Sequence, residues 1–210
     1  VNSVAVAPVS PFETTVMRGS PNFAKDGILL AGSSSDGRGF LFDNKGEILW
    51  ERELSKPQQI DKAWLNASGR DGYVIDDYVL FTTINTFNRE NWQLPTPVEH
   101  PSNNSLFVFD TKGEFKYKYK ALGTIEQVDF ANGLAACAVG RNVRSHNYKA
   151  HGAVILNLKD GRELKFFQTE GPLQAIAISK DGKVVAGIEA PAVTPDGKII
   201  GAYRFHLWQI

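Results

Sequence analysis

The sequence is poor in cysteine, in charge excess and in long apolar runs. Cys137 is the one cysteine in 210 residues, which excludes an internal disulfide framework and any all-cysteine metal site. The 23 Lys+Arg residues balance 23 Asp+Glu residues. Such neutrality argues against bulk nucleic-acid binding and against attraction to an anionic membrane surface. No apolar run approaches the ~18 residues of a membrane-spanning helix. Gly-x-Ser-x-Gly, phosphate-loop and His-Glu-x-x-His patterns are also missing, and no two carboxylates are paired at a defined spacing. What remains is a chain with 42% hydrophobic residues. That is too apolar for a disordered segment, and the length suits one domain over 1–210 with a sizeable core. The chain opens on Val1 rather than Met. A cleaved signal peptide or a trimmed chain explains this, and the first gives an extracytoplasmic location as the expectation.

Short runs rich in Val, Ile, Phe and Tyr fill the sequence, separated by Gly, Asp and Asn turns. This predicts an all-β protein with little helix. The runs repeat. "PNFAKDGILLAG", "VDFANGLAACAVG" and "IAISKDGKVVAG" share one turn class, at Asp26-Gly27, Asn132-Gly133 and Asp181-Gly182, and Asp71-Gly72 reads as its fourth member. "LFDNKGEILW", "VFDTKGEFKY" and "LNLKDGRELKF" share a second class. Glycine suits both, because hairpin turns demand positive φ. The spacing gives four repeats of four antiparallel strands, at roughly 16–53, 61–120, 124–170 and 172–210. A lone four-stranded sheet leaves two apolar faces uncovered. Packing such sheets around an axis buries both, which predicts a β-propeller of about four blades. The last repeat stops after its third strand, "YRFHLWQI", and the opening "VNSVAVAP" belongs to no repeat. Asn2–Ala7 is therefore expected to complete the last blade, the alternative being a β tail on the surface. Four repeats suit a small four-bladed ring, part of a larger ring, or two chains that associate into one larger closed ring.

Specific residues carry a family resemblance. In Ile28–Leu54 a glycine-rich turn precedes Phe42, Asp43, Gly46 and Trp50, and this resembles a quinoprotein-like propeller repeat. "AISKDGKVVAG" and "HLWQI" are similar to WD40-type repeats. The resemblance implies a propeller and no particular activity. The adjacent paired cysteines that quinoprotein enzymes often carry are missing, and the tryptophan signature occurs once. The second and third repeats place Tyr117 and Phe166 or Phe167 there. No cofactor is expected, pyrroloquinoline quinone included.

Most of the length variation falls between the second and third strands of each repeat. Long loops on a rigid β scaffold are where binding residues collect. The loop 85–105 carries Arg89, Glu90, Trp92 and His100, stiffened by Pro95, Pro97 and Pro101. The loop 140–152 carries Arg141, Arg144, His146, Tyr148, Lys149 and His151, a basic patch suited to a carboxylate, a phosphate or an acidic partner surface. A solvated hairpin explains the same charges. His146, His151 and His100 are the candidate metal ligands, with Glu189 to complete a set. His206 alternates with apolar neighbours and reads as structural, and Cys137 reads as a core thiol. The function expected is a non-catalytic binding or scaffolding module. It would contact a protein partner or a second copy through Trp92, Arg141, Arg144, Tyr148 and Lys149. The alternative is a propeller subunit of an oxidoreductase or electron-transfer enzyme with its site under the same loops.

Overall fold

The computed structural model describes residues 20–60, 63–85, 99–140, 151–194 and 196–210. Asn2–Ala7, the strand expected to complete the last blade, lies outside them. Every regular element among the described residues is a strand. The fold is an all-β propeller of several blades, as the repeats predicted.

The chain forms two compact units, 1–120 and 121–210. The first holds two four-stranded antiparallel sheets. One is β1 (Asn22–Phe23), β2 (Leu29–Ser33), β3 (Arg38–Asp43) and β4 (Ile48–Glu53). The other is β7 (Ala67–Ile75), β8 (Tyr78–Asn85), β9 (Ser105–Asp110) and β10 (Phe115–Lys120), and a small hairpin, β5 (Gln58–Ile60) and β6 (Ala63–Leu65), connects the two. The second unit holds a third sheet: β11 (Ile125–Ala131), β12 (Leu134–Val139), β13 (Gly152–Asn157) and β14 (Glu163–Gln168). Among the described residues its fourth sheet has three strands, β15 (Leu173–Ile178), β16 (Val184–Glu189) and β19 (Arg204–Gln209). The hairpin β17 (Ala192–Val193) and β18 (Ile199–Ile200) is set into the connection before β19.

The repeated turn phrases have one local cause. After β3, β9 and β13 a side-chain oxygen of Asp43, Asp110 or Asn157 accepts the N–H two residues on, from Lys45, Lys112 or Lys159, each at 2.9 Å. Gly46 and Gly113 then supply φ of 88° and 81°, a region that glycine enters without strain.

One turn assignment needs correction. Asp71-Gly72 lies inside β7, and the turn of the second sheet is Asp76-Asp77, with Asp76 at φ 50°. Gly72 has a different task. A Cβ there would meet the Ala31 backbone at 2.8–2.9 Å, so the glycine lets the first and second sheets approach. The second sheet accordingly starts at Ala67 rather than near 61.

Each unit has its core between its two sheets. In the first, Ala31, Leu41 and Trp50 pack with Val79, Phe81, Phe107 and Phe109. The Trp50 ring stands edge-on to Phe81 at 6.1 Å, and its Nε1–H donates to the Thr111 carbonyl at 3.0 Å. In the second, Ala136, Ala138, Ala153 and Ile155 pack with Ile176, Ile178, Val185 and Trp208. Polar stitches run beside both cores. Gln127 and Asp129 accept the backbone N–H groups of Ile176 and Ile178 at 3.0 and 2.8 Å. Asn22 Nδ2 donates to the Gly72 carbonyl at 2.7 Å. Apolar strands thus face inward on both sides, as sheets stacked face to face require.

Candidate functional site

The connections between second and third strands differ in kind. In the first sheet it is the tight turn 34–37. Its ends are held by buried Arg38, whose guanidinium lies 2.7 Å from Asp36 Oδ2 and 3.2 Å from Glu51 Oε1. In the other three sheets it spans 86–104, 140–151 and 190–203. The structure describes the roots of the first two and nearly all of the third.

The loop 86–104 returns to its sheet through His100, which is 1% exposed. Its Nε2–H donates to the Lys56 carbonyl at 2.8 Å, and its Nδ1 accepts the Ser102 N–H at 3.0 Å. Both ring nitrogens are engaged, which fixes a neutral tautomer. Burial pushes the imidazole below its ordinary pKa, helped by the positive charges of Lys120 and Lys118 and opposed by the Lys56 hydrogen bond. Ser55 stands beside the ring, its Oγ donating to Asn66 Oδ1 at 2.6 Å and accepting the Ala67 N–H at 2.9 Å. Thr83 Oγ1 donates to the Ser102 carbonyl, and Lys120 Nζ donates to both oxygens of Asn103. The arrangement is a clamp on the returning chain.

The loop 140–151 returns through His151, also buried. Burial lowers its pKa, opposed by the Glu170 carbonyl and the Glu189 charge. Its own carbonyl accepts the Thr169 N–H at 2.9 Å.

The third connection, 190–203, is anchored by Glu189, which is 0% exposed at the end of β16. Oε1 accepts the N–H groups of Gly171 at 2.9 Å and Ala202 at 3.2 Å. Oε2 accepts from His206 Nε2 at 2.7 Å, and Arg204 Nη1 is 3.9 Å away while bonding Glu170 at 2.6 Å. Burial pushes this carboxyl up. The His206 hydrogen bond, the two backbone donors and Arg204 outweigh it, so the group sits below the usual carboxylate range. The His206 ring stacks on Trp208, centroids 4.9 Å apart and planes at 4°, and Trp208 stacks on Phe167. His206 is therefore satisfied structurally, as its place in the sequence suggested.

Of the residues singled out from sequence, His100 and His151 are buried loop roots. Trp92, Arg141, Arg144, His146, Tyr148 and Lys149 lie outside the described residues. Among the described residues no three His, Cys, Asp or Glu side chains converge on one point, and no helix is long and apolar enough to cross a membrane. Sequence reasoning missed the Ser55–Asn66–His100 clamp, because its members lie far apart in the chain and none stands in a motif. It noted Glu189 only as an added ligand. The signal available was a lone carboxylate closing an apolar strand, "VVAGIEAP".

No protein-family model matches the chain, and no curated protein matches it in sequence. Solved structures do. BamB from Moraxella catarrhalis is similar over 95% of this chain and 54% of its own, with 16% identity and a TM-score of 0.56. The dihydro-heme d1 dehydrogenase NirN, solved in complex with DHE, is similar over 88% of this chain and 36% of its own, with 18% identity and a TM-score of 0.53. The computationally designed Ika8 protein is similar over 90% and 46%, with 11% identity and a TM-score of 0.51. BamB and NirN are β-propellers, and identities this low establish the shared fold alone. The chain spans about half the length of BamB.

Proposed function

We propose that this propeller is a non-catalytic binding or scaffolding module within a protein assembly. Its contact surface is formed by the long loops, with Trp92, Arg141, Arg144, Tyr148 and Lys149 as anchors. The observation that carries this reading is the division of labour at the loops. Their described roots spend polar groups on internal hydrogen bonds, so at these roots the scaffold's work is to hold its loops. Rigid roots lower the entropy lost when a loop meets a partner. The basic run Arg141–His151 suits an acidic ligand or surface, and tryptophan is a frequent interface anchor. The test is Arg141→Ala with Arg144→Ala. Capture of the partner from the source cells should weaken while the melting temperature stays within about 1 °C, the split that separates a binding role from a stabilising one. Unchanged capture refutes the reading.

One competitor is a redox subunit with a ligand under the same loops, a reading prompted by NirN, a dehydrogenase solved with DHE. Metal analysis and an absorption spectrum of the purified protein distinguish the two. A stoichiometric metal or chromophore that is lost on changing His146 or His151 supports the competitor.

A further inference from the structure

The two faces of the fourth sheet are unlike. One carries Ile176, Ile178, Val185 and Trp208 and is packed on the third sheet. The other carries Ile188, Phe205 and Leu207, which are 49%, 67% and 66% exposed. The register shows what this second face is. Ile188 pairs with Phe205 and Ala186 with Leu207. The matching positions of the third sheet, where Ala138 pairs with Ala153 and Ala136 with Ile155, are those by which that sheet packs on its neighbour. The bare face is thus a sheet-packing face by position. It is also more apolar than its counterpart. The third sheet carries Gln127 and Asp129 at the positions where the fourth has Ala175 and Ala177, so this face has no polar stitch of its own to offer. The burial of β19 departs in the same way: β3, β9 and β13 are buried nearly throughout, whereas Arg204, Phe205, Leu207 and Gln209 are exposed.

We propose that this face is a self-association surface, and that its occupant is the identical face of a second copy of the chain. Two observations select that occupant. The face bears no charge at its centre, so it is complementary to another like itself and not to a charged surface. The faces of the other three sheets that are turned away from their unit's core are already buried. Phe40 and Phe42, Leu80 and Val108, and Cys137 and Val154 are each at most 9% exposed. Among the described residues a second copy therefore has one bare sheet face to present, the same one, and the contact is isologous about a twofold axis. With Tyr203, two residues before Phe205 and 86% exposed, the patch offers on the order of 500 Å² per copy. About 1,000 Å² in all is near the lower bound for a specific interface, so the dimer is weak and reversible.

Sedimentation equilibrium of the 210-residue chain from about 1 to 300 μM tests the proposal. The expected result is a monomer passing to twice the mass, with dissociation in the micromolar range. Phe205→Glu with Leu207→Glu should remain monomeric throughout, with an unchanged circular dichroism spectrum and unchanged capture of the loop partner. Should the glutamates unfold the sheet, Ile188→Thr with Leu207→Thr keeps strand-forming residues in place and should raise the dissociation constant at least tenfold. Phe115→Glu, at an exposed position on β10 of the second sheet, should leave association untouched. A wild-type chain that stays monomeric at 300 μM overturns the proposal. So does a folded Glu or Thr variant that dimerises as the wild type does, or a Phe115 change as disruptive as those on β19. Loss of partner capture in the loop variant alone leaves it standing.

Discussion

Replacing Glu189 by alanine should release the 190–203 connection and destabilise the second unit. The carboxylate is fully buried and accepts from three groups, the N–H of Gly171, the N–H of Ala202 and His206 Nε2. Alanine removes every acceptor and leaves three donors facing one another. A buried donor left without a partner costs about 1–3 kcal/mol. Taking the low end for Ala202, whose bond is long at 3.2 Å, and for His206, which is partly exposed, the expected loss is about 3–5 kcal/mol, the range seen when one partner of a buried charged pair is removed. Glu189→Gln keeps the shape and one carbonyl oxygen, so it should cost about 1–2 kcal/mol. The pH dependence has a definite sign. The folded-state pKa lies below the usual carboxylate value, so the stabilisation is present above the unfolded pKa, near 4.5. It is lost as the pH falls through the folded value. Urea unfolding at pH 7 and melting from pH 6 to pH 3 measure both effects. Wild type should lose stability below pH 4.5, and Glu189→Gln should lose less over that range. Amide exchange should show Gly171 and Ala202 deprotected first in the alanine variant. A loss under about 1 kcal/mol for Glu189→Ala, with both amides still protected, refutes this account of the anchor.

Two further outcomes follow from the first unit. His100→Leu should destabilise by about 1–3 kcal/mol, because it leaves the Lys56 carbonyl and the Ser102 N–H, both in part-buried hydrogen bonds, without that partner. Since the folded imidazole titrates below its ordinary pKa of 6.5, the wild type should lose stability as pH falls below 6.5, and melting curves between pH 7 and 5 should flatten in the variant. Gly72→Ala should cost about 1–3 kcal/mol by forcing the Ala31 backbone away, whereas Gly27→Ala, where a Cβ meets nothing within 4 Å, should show only the smaller cost of its positive φ. Equal losses in urea for the two would mean that Gly72 serves a turn after all.

The Gly72 case shows where sequence reading succeeds and where it stops. The turns after β3, β9 and β13 were legible because one side-chain oxygen and one glycine act over five residues. Most strands were legible from their apolar runs, β7 excepted, and the last sheet, three-stranded among the described residues, showed as an interrupted repeat. Asp71-Gly72 has the letters of a hairpin turn, yet its glycine answers to the Ala31 backbone in another sheet. No local pattern records that contact. The loops were located by counting, since insertions interrupt a period. Their anchors were not, because His100 meets Lys56 and Ser55 across more than forty residues, and Glu189 meets Gly171 across two strands and the turn between them. The bare face of the fourth sheet was invisible as such, since "RFHLWQI" reads the same whether covered or open.

Cys137 lies fully buried in β12, and burial pushes its thiol up to about 12. A thiol reacts with maleimides, disulfides and iodoacetamides as its thiolate, and this one holds almost none near neutral pH. The chain therefore carries a silent native thiol. A cysteine placed at Trp92 or Tyr148 would take up a fluorophore or spin label alone, with no need to replace the native residue. The proposed contact loops can thus be watched in solution, one position at a time, against a dark background.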